Sequence, residues 1–383
     1  MDLVRPLGRA GIPTVVVSRP GLPQSHSRFN RGTIRLADVR EHPEELVRDL
    51  IAFGSGEFER PVLMVDQDEY LLVVSRHRAE LEPYFRFILA DPILVEDLVD
   101  KERFRILGDR LGLPVPMSQR LDPANMSPAD VVIEYPLLIK PLTRRDRNLP
   151  WAQIAGEAKA IKVDSRIGLE AIWPTLVAAG THLVAQVLIP GPETRIETYH
   201  VYCDVDGRIA GEFTGREVRT FPRDFGHSTA VETTEAADVR TLGRELVGRI
   251  GLIGVAKLDF KRGPDRKLHL LEINPRFSFW NHPGAVAGVH LAELVYRDLT
   301  GARIRPAHPA AAGVRWCDVV PDALAARAIG MPLLSWLRWV LRSETRAEVA
   351  ADDPLPFLLG TVWRQRTGIM RRLMGRPPNK LAS

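Results

Sequence analysis

Oxygen-bearing side chains alternate with apolar ones in two neighbouring segments, VAKLDFKR (255–262) and KLHLLEIN (267–274). Glu272 and Asn274 are two residues apart, so on a strand both point to the same face. If the segments pair as a hairpin, a loop with an even number of residues places Asp259 on that face too, because opposite residues share a face. Two carboxylates and an amide oxygen are ligands that Mg²⁺ accepts when it also bridges nucleotide phosphates. The spacing therefore predicts a magnesium site made of these three side chains.

The residues around this set extend the pattern. Leu271 and Ile273 alternate with the oxygen ligands and are expected to point into the core. Pro275 ends the strand, and Arg276 is expected beside the metal as a fixed cation. The alternative interpretation of the hairpin is a solvated polar face that binds no ligand.

The elements that position the hairpin follow from hydrophobic patterns. Residues 1–94 predict a parallel α/β unit, with strands at 14–18 and 61–65 and helices at 43–53 and 68–81. This unit has no strand before its first helix and no glycine-rich turn. Either the true start lies upstream of Met1, or the sheet is built without that strand.

The following residues predict an alternation of strands and helices up to the hairpin. A charged helix is expected over 97–112. His227 and Ser228, which follow a glycine, are expected in a loop that lines a ligand pocket. The predicted strands are 134–142, 159–163, 182–191, 197–205 and 208–213, and the predicted helices are 167–179 and 235–250. The polar segment 143–157 reads as a loop.

The sequence KLDF followed by LLEINPRF resembles the metal-binding end of the ATP-grasp enzymes, and the similarity extends from about Val95 to Gly301. The resemblance implies a mixed fold class, α/β and α+β, in which two α+β subdomains clamp ATP behind a Rossmann-like domain. It assigns the metal positions to Asp259, Glu272 and Asn274, and a phosphate or substrate contact to Arg276.

Two lysines match positions that the family uses for nucleotide. Only eight of the 52 Lys and Arg residues are lysine, and residues 1–158 contain just two, Lys101 and Lys140. Coding bias explains the arginine excess but not where lysine remains. The resemblance implies that both ammonium groups contact phosphate oxygens, where a compact point charge differs from a guanidinium.

Further site residues are also implied by the resemblance. Gln186, Val187 and Leu188 correspond to the hinge that faces adenine, and Glu193 corresponds to the acceptor of the ribose hydroxyls. Many family members have a glutamate where this chain has Gln186. The phosphate lid is short of glycine, and three arginines are expected to act there by charge: Arg144, Arg145 and Arg147.

Arg216 is the residue that the resemblance assigns to the γ-phosphate, in preference to Arg219. The implied domains are a Rossmann-like domain over 1–94, an ATP-grasp domain over 95–303 with a small lid subdomain at about 113–188, and a largely helical C-terminal extension over 304–383. The implied activity is Mg-dependent ligation of a carboxylate to an amine through an acyl phosphate. ATP and Mg²⁺ are the expected cofactors, with Mn²⁺ as an alternative metal.

Composition narrows the functional class. The net charge of +4 is too small to imply a nucleic-acid partner, and no apolar run reaches the roughly 20 residues of a membrane span. Cys203 and Cys317 form no metal or redox spacing, and the N-terminus lacks a signal core, so a cytoplasmic setting is expected. We expect small-molecule carboxylate and amine partners, with an amino acid or small peptide suggested by the resemblance.

Two alternatives remain. One is an ATP-grasp carboxylase or another enzyme that forms acyl phosphates, and a biotin- or CoA-linked partner would distinguish it. The other is an inactive nucleotide-binding or membrane-peripheral protein. Its supporting feature is the tail, MPLLSWLRWVLR (331–342) and TVWRQRTGIMRRLM (361–374), where tryptophans and arginines interleave as in interfacial helices.

Overall fold

In the part of the chain that the structure describes, helices pack around three β-sheets. The computed structural model describes residues 1–19, 21–35, 39, 41–142, 151, 154–156, 158–303 and 308–363. The expected lid arginines, Arg144, Arg145 and Arg147, lie outside the described residues. Within the described part, no helix is both long and apolar enough to cross a membrane.

The N-terminal region contains a two-stranded parallel sheet, β1 (Thr14–Ser18) and β2 (Asn30–Arg35). The predicted strand at 61–65 is wrong, because this segment makes only an isolated bridge between Val62 and Arg86. Strand β2 was not predicted, since its sequence NRGTIR carries two arginines and a glycine. The helices of this region are α1 (Val4–Arg9), α2 (Pro43–Gly56), α3 (Asp68–Arg76) and α4 (Arg78–Leu81).

Two helices replace the single helix expected over 97–112, namely α5 (Pro92–Val99) and α6 (Lys101–Leu111). Asp100 between them has an extended backbone, and its side chain accepts hydrogen bonds from the N–H groups of Glu102 and Arg103, both at 2.9 Å. This is N-capping, which satisfies donors at the start of a helix. It places Lys101 at the first position of α6.

The second sheet has four antiparallel strands in the order β3-β6-β4-β5. Helix α7 (Arg166–Ala179) packs on it and contributes Leu169 and Leu176 to a core shared with Leu137 and Ile139. The strands are β3 (Ser118–Leu121), β4 (Leu137–Pro141), β5 (Ile161–Val163) and β6 (Leu183–Val187). Since side chains alternate along a strand, Lys140 points away from the face that buries Ile139.

The third sheet has seven strands in the order β11-β10-β7-β8-β9-β12-β13 and carries the predicted metal hairpin at one edge. Its first five strands in the chain are β7 (Ile196–Cys203), β8 (Ile209–Phe221), β9 (His227–Thr234), β10 (Gly254–Arg262) and β11 (Leu268–Asn274). Strand β8 extends eight residues past the predicted end at Phe213. The loop expected around His227 is wrong, because His227 begins β9.

The C-terminal region completes this sheet and also contacts the N-terminus. Its short strands β12 (Arg315–Cys317) and β13 (Thr345–Arg346) extend the sheet beyond β9, so the region is only partly helical. Helices packed around the sheet are α8 (Ala237–Ile250), α9 (Asn281–Val286), α10 (Leu291–Thr300), α11 (Val319–Ala328) and α12 (Leu333–Arg342), with a π-helical segment at Pro356–Trp363.

Candidate functional site

A cleft of about 960 Å³ receives side chains from the four-stranded and the seven-stranded sheets. Residues predicted as nucleotide, metal or phosphate contacts converge on it from separate parts of the chain. They are Lys101, Lys140, Gln186, Val187, Leu188, Glu193, Asp259, Glu272, Asn274 and Arg276. The cleft is therefore the candidate functional site.

A β-bulge sets the register of the hairpin that forms one wall. Strands β10 and β11 are joined by residues 263–267, an odd number, and Phe260 lies opposite Leu270. Asp259 nevertheless lies opposite Glu272, because Leu271 is the extra residue of a bulge. The condition of an even-numbered loop is not met, and the bulge replaces it. The expected burial of Leu271 is wrong: Leu270 is fully buried, whereas Leu271 is half-buried and lines the cleft.

The pairing brings two carboxylates and a lysine together. Lys257 Nζ lies 2.8 Å from Asp259 Oδ2, on the same strand face. Burial raises the pKa of Asp259 to about 7 against the opposing charge of Lys257. Burial also acts to raise the pKa of Glu272, but the charge of Lys257 and the hydrogen bond from Asn274 hold it below its usual value. Two such close carboxylates resist joint ionisation until a cation joins them.

These side chains suit a magnesium ion. Asp259 is 5% exposed, and its Oδ1 is buried with no hydrogen-bond partner among the described residues, while Lys257 holds the other oxygen. The described residues contain no group of three or more His, Cys, Asp or Glu able to hold a metal. That is compatible with Mg²⁺, which is usually bound through one or two carboxylates plus substrate phosphates and water. Glu272 and Asn274 would supply the remaining protein oxygens.

Arg276 is fixed next to this set. Its guanidinium pairs with Asp68 of α3 and donates from Nη2 to Asn274 Oδ1 at 3.1 Å. Asn274 in turn donates from Nδ2 to Glu272 Oε1 at 2.9 Å. Arg276 is 7% exposed and lines the cleft. The N-terminal region thus supplies the carboxylate that orients a cation beside the candidate metal site.

Two lysines line the cleft from α6 and from strand β4 of the four-stranded sheet. Lys101 Nζ donates to the carbonyl oxygen of Leu142 at 3.1 Å, and Lys140 Nζ donates to Gln186 Oε1 at 2.8 Å. Burial and the charge of Lys101 lower the pKa of Lys140 to about 8. Gln186 offers a neutral oxygen where a glutamate would offer a charge. The position of both ammonium groups fits contact with an anion such as a polyphosphate.

The hinge segment differs in one respect from the expectation. The backbone N–H groups of Val187 and Leu188 donate to the carbonyl oxygens of Met117 and Pro136, at 2.9 and 3.1 Å. These two donors are therefore already used and do not point to a purine edge. Gln186 to Leu188 still line the cleft, as does the following residue, Ile189.

Glu193 also lines the cleft and is oriented by a lysine that sequence reasoning left unassigned. Lys261 Nζ lies 3.0 Å from Glu193 Oε1. Lys261 is two residues from Asp259 and four from Lys257, so all three share one face of β10. The signal for Lys257 and Lys261 was the same scarcity of lysine that singled out Lys101 and Lys140.

Arg216 is not brought to the cleft. On the sheet it pairs with Glu197, which itself pairs with Phe260, so Arg216 lies on the face opposite to Asp259. Its side chain is half-exposed and forms an ion pair with Glu232 at 2.9 Å. Arg219 is also remote, since it is buried against Asp322 at 2.8 Å. The assignment of Arg216 to the γ-phosphate is not supported by this placement, because a strand's alternation turns it outward.

Glu217, the neighbour of Arg216, lines the cleft instead. It is 7% exposed, and Ser228 Oγ donates to its Oε1 at 2.6 Å. Burial raises the pKa of Glu217, against the opposing charge of Lys159. Lys159, His227 and Ser228 line the same part of the cleft. Sequence reasoning missed Glu217 and Lys159, because the predicted strand ended at Phe213 and alternation alone does not tell which of Arg216 and Glu217 faces the cleft.

Comparison with solved structures defines the class of fold. The chain matches the ADP complex of an N5-carboxyaminoimidazole ribonucleotide synthetase with a TM-score of 0.61 at 12% identity, covering 81% of this chain and 78% of that one. It also matches a biotin carboxylase domain from Hydrogenobacter thermophilus, solved with MgADP and bicarbonate, with a TM-score of 0.58 at 17% identity, covering 80% and 68%. The chain has the ATP-grasp fold, with an N-terminal α/β region before it, as the sequence predicted.

Comparison with curated sequences narrows the likeness. A D-aspartate ligase from Enterococcus faecium (strain Aus0004) is 23% identical over 254 residues, which is 64% of this chain and 60% of that protein. A D-alanine--D-alanine ligase from Neisseria gonorrhoeae (strain NCCP11945) is 27% identical over 220 residues, 54% of this chain and 68% of that protein. The chain thus spans less than two thirds of the D-aspartate ligase. No family model matches it. The predicted resemblance to carboxylate–amine ligases is confirmed.

Proposed function

We propose that the chain is an ATP-dependent ligase that joins a carboxylate to an amine and binds Mg-ATP in the cleft. The observation that carries the proposal is the direct pairing of Asp259 with Glu272, with one buried carboxylate oxygen left for a metal. Similarity to D-aspartate ligase and D-alanine--D-alanine ligase supports the reaction class. An amino acid or small peptide is the proposed class for one substrate.

The residues divide between binding and charge stabilisation. Asp259, Glu272 and Asn274 would hold Mg²⁺, which when bound neutralises charge on the nucleotide phosphates. Lys101 and Lys140 would contact phosphate oxygens. The side chain of Glu193, oriented by Lys261, would accept hydrogen bonds from ribose hydroxyls. Gln186, Val187 and Leu188 would form the apolar and carbonyl surface against adenine. Mn²⁺ is proposed as a substitute metal, since it accepts similar oxygen ligands.

Arg276 would act on the reacting groups. The reaction transfers a phosphoryl group from ATP to a carboxylate oxygen and releases ADP. The amine nitrogen then bonds to the acyl carbon, phosphate leaves, and the nitrogen loses a proton. Because negative charge builds on the phosphoryl oxygens, a guanidinium held by Asp68 and Asn274 stabilises that step. Glu217 and Ser228 would form part of the wall around the second substrate.

We also propose that residues 1–94, 95–303 and 304–383 form the N-terminal domain, the ATP-grasp domain and the C-terminal extension, with residues 113–188 as the lid. All four strands of the four-stranded sheet lie within residues 113–188, which supports both ends of the lid range. The cytoplasmic location expected from the sequence stays a prediction.

A phosphate-release assay tests the activity. The full chain is incubated with ATP, Mg²⁺ and pools of amino acids and carboxylic acids, and phosphate is measured together with the masses of the products. Ligation predicts phosphate release that requires both a carboxylate and an amine, and a product mass equal to the two substrates minus water. Release that requires bicarbonate and no amine would support a carboxylase instead.

Matched variants separate the metal site from general effects. Glu272→Gln is expected to abolish release. Glu245→Gln, which breaks an exposed pair with Arg249 on α8, is expected to leave it unchanged. Full activity of Glu272→Gln at saturating ATP would contradict the metal assignment.

A further inference from the structure

Helix α12 exposes an apolar face that the rest of the described chain does not cover. The exposed fractions are 68% for Leu333, 80% for Leu334, 38% for Leu337 and 76% for Leu341. At about 100° per residue, these four side chains fall within an arc of about 100° on one side of the helix. Soluble proteins rarely expose a continuous apolar surface without a partner for it.

The side of α12 that carries the tryptophans packs against the rest of the protein. Trp336 donates from Nε1 to Asp322 Oδ2 at 3.0 Å. The ring of Trp339 stacks against two guanidinium groups, with Cζ of Arg219 and Cζ of Arg315 at 4.7 and 4.5 Å from the ring centroid. Val340, about 20° from Leu333 around the helix, is 9% exposed and marks the edge of the leucine arc. The helix is therefore held in one orientation, and the leucines face outward because the tryptophans face inward.

The surroundings of the leucines are basic. Arg338 and Arg342 are exposed and border the leucine arc on one side, at about 40° and 80° beyond Leu334. Helix α11, which packs beside α12, also exposes Val320 and Leu324. An apolar stripe edged by arginines is the pattern of a helix that lies in a membrane interface.

We propose that the leucine face of α12 binds the surface of a membrane that contains anionic phospholipids. The leucines would enter the boundary between headgroups and acyl chains, while Arg338 and Arg342 would contact lipid phosphates. A second copy of the chain is a poorer occupant. Pairing two leucine faces would bring both sets of arginines together and repel, whereas an anionic surface neutralises them.

Vesicle co-sedimentation of the full chain tests this proposal. Vesicles of phosphatidylcholine alone are compared with vesicles that contain 30 mol % phosphatidylglycerol (a composition of about one anionic lipid in three gives a strong negative surface potential). The protein is expected to sediment with the anionic vesicles, with binding at least roughly tenfold weaker to the neutral ones and reduced by salt.

Variants identify the surface that binds. The double change Leu334→Ser and Leu341→Ser is expected to weaken binding by roughly tenfold or more, because it removes two inserted side chains. Ile167→Ser, at a 78% exposed position on α7, is the matched control and is expected to bind as the parent chain does. Thermal unfolding confirms that both variants fold.

The contrary outcomes are distinct. Equal binding of the leucine variant and the parent chain overturns the proposal, as does the absence of binding to anionic vesicles. If light scattering shows a dimer that the leucine variant loses, while no vesicle binding occurs, the face is an interface between two copies instead.

Discussion

Asp259 and Glu272 lie directly opposite each other on β10 and β11 because Leu271 bulges out of the register between them. Without the bulge, Asp259 would lie opposite an apolar residue, and Glu272 would be on the other face of the sheet. The bulge therefore creates the carboxylate pair. β-Bulges are frequent beside active sites for this reason, since one extra residue redirects the side chains that follow it.

Replacement of the Asp259 carboxylate by an amide tests the assignment of Asp259 as a metal ligand. Asp259→Asn keeps the shape of the side chain but removes its charge, so we expect a higher Mg²⁺ concentration for half-maximal activity and a kcat lower by roughly 10²-fold. Steady-state kinetics at varied Mg²⁺ and fixed ATP measures both quantities. The variant leaves Lys257 without its carboxylate, so its thermal unfolding must be recorded alongside. An unchanged Mg²⁺ requirement would exclude Asp259 as a ligand.

The alternation of polar and apolar residues made much of the cleft predictable. Lys140 within an apolar strand and Glu272 beside Ile273 carry their orientation in the local sequence, because a strand has a period of two. The resemblance supplied the ATP-grasp fold, which no local pattern could have given. The resemblance, rather than any local pattern, also predicted that Gln186 and Glu193 lie at the nucleotide site.

Other features depend on contacts that local sequence does not encode. Whether Arg216 or Glu217 faces Asp259 depends on the register of β8 against β7 and of β7 against β10, which pairs Arg216 with Glu197 and Glu197 with Phe260. The bulge at Leu271 has no glycine to indicate it. Strand β9 was missed because its sequence, HSTAVETT, is polar at six of its eight positions, although neighbouring elements bury four of the eight: Thr229, Ala230, Val231 and Thr233.

Two arginines provide a matched test of the phosphate contact. Arg276→Lys keeps a charge but loses the guanidinium geometry that contacts both Asp68 and Asn274, so we expect kcat to fall by roughly 10²-fold. Arg216→Lys alters only an exposed ion pair on the other face, and activity is expected to stay within roughly twofold. Kinetics paired with calorimetric ATP titration measures kcat and ATP affinity separately. Equal losses in the two variants would mean that Arg216 reaches the cleft during turnover.

The contact between the two ends of the described chain is expected to be a major source of stability. Arg5 is fully buried and donates from Nε to Asp353 Oδ2 at 3.0 Å, and Asp353 also accepts from Ser27 Oγ at 2.8 Å. Backbone carbonyl oxygens still accept hydrogen bonds from Arg5 after Asp353→Ala, but the buried guanidinium loses its counter-charge, so we expect the free energy of unfolding to fall by about 3–5 kcal/mol. Urea unfolding followed by circular dichroism measures this change.

The adjacent aspartate is the control for that measurement. Asp352 pairs with Arg9 at 2.8 Å, but both side chains are about two-fifths exposed. Asp352→Ala is therefore expected to cost only about 0–1 kcal/mol. A similar cost for the two variants would show that Asp353 does not hold the C-terminal region against α1.

The lowered pKa of Lys140, caused by burial and the charge of Lys101, predicts an unusual pH dependence of ATP binding. Because the pKa of Lys140 is lowered to about 8, the side chain is charged below that pH and loses its charge as pH rises through it. ATP affinity is then expected to decrease above pH 8, by up to about tenfold per pH unit.

The contribution of Lys140 to the stability of the fold changes with pH in the opposite direction. Between pH 8 and the unfolded value of 10.5, the unfolded chain binds more protons at this group, so its contribution to the free energy of unfolding rises with pH.

Gln186→Glu tests whether the titration of Lys140 sets the pH profile of ATP binding. A carboxylate in place of the amide oxygen, which lies 2.8 Å from Lys140 Nζ, favours the charged lysine and raises its pKa. The decrease in ATP affinity should therefore move to higher pH, whereas Lys140→Met should bind ATP weakly and lose this pH dependence. Calorimetric ATP titrations from pH 7 to 9.5 at constant ionic strength compare the three proteins. If Gln186→Glu leaves the pH profile in place while Lys140→Met removes it, Lys140 contacts the nucleotide but its pKa is not set by Gln186. If Lys140→Met keeps the full decrease, another group is responsible for the titration and the assignment of Lys140 fails.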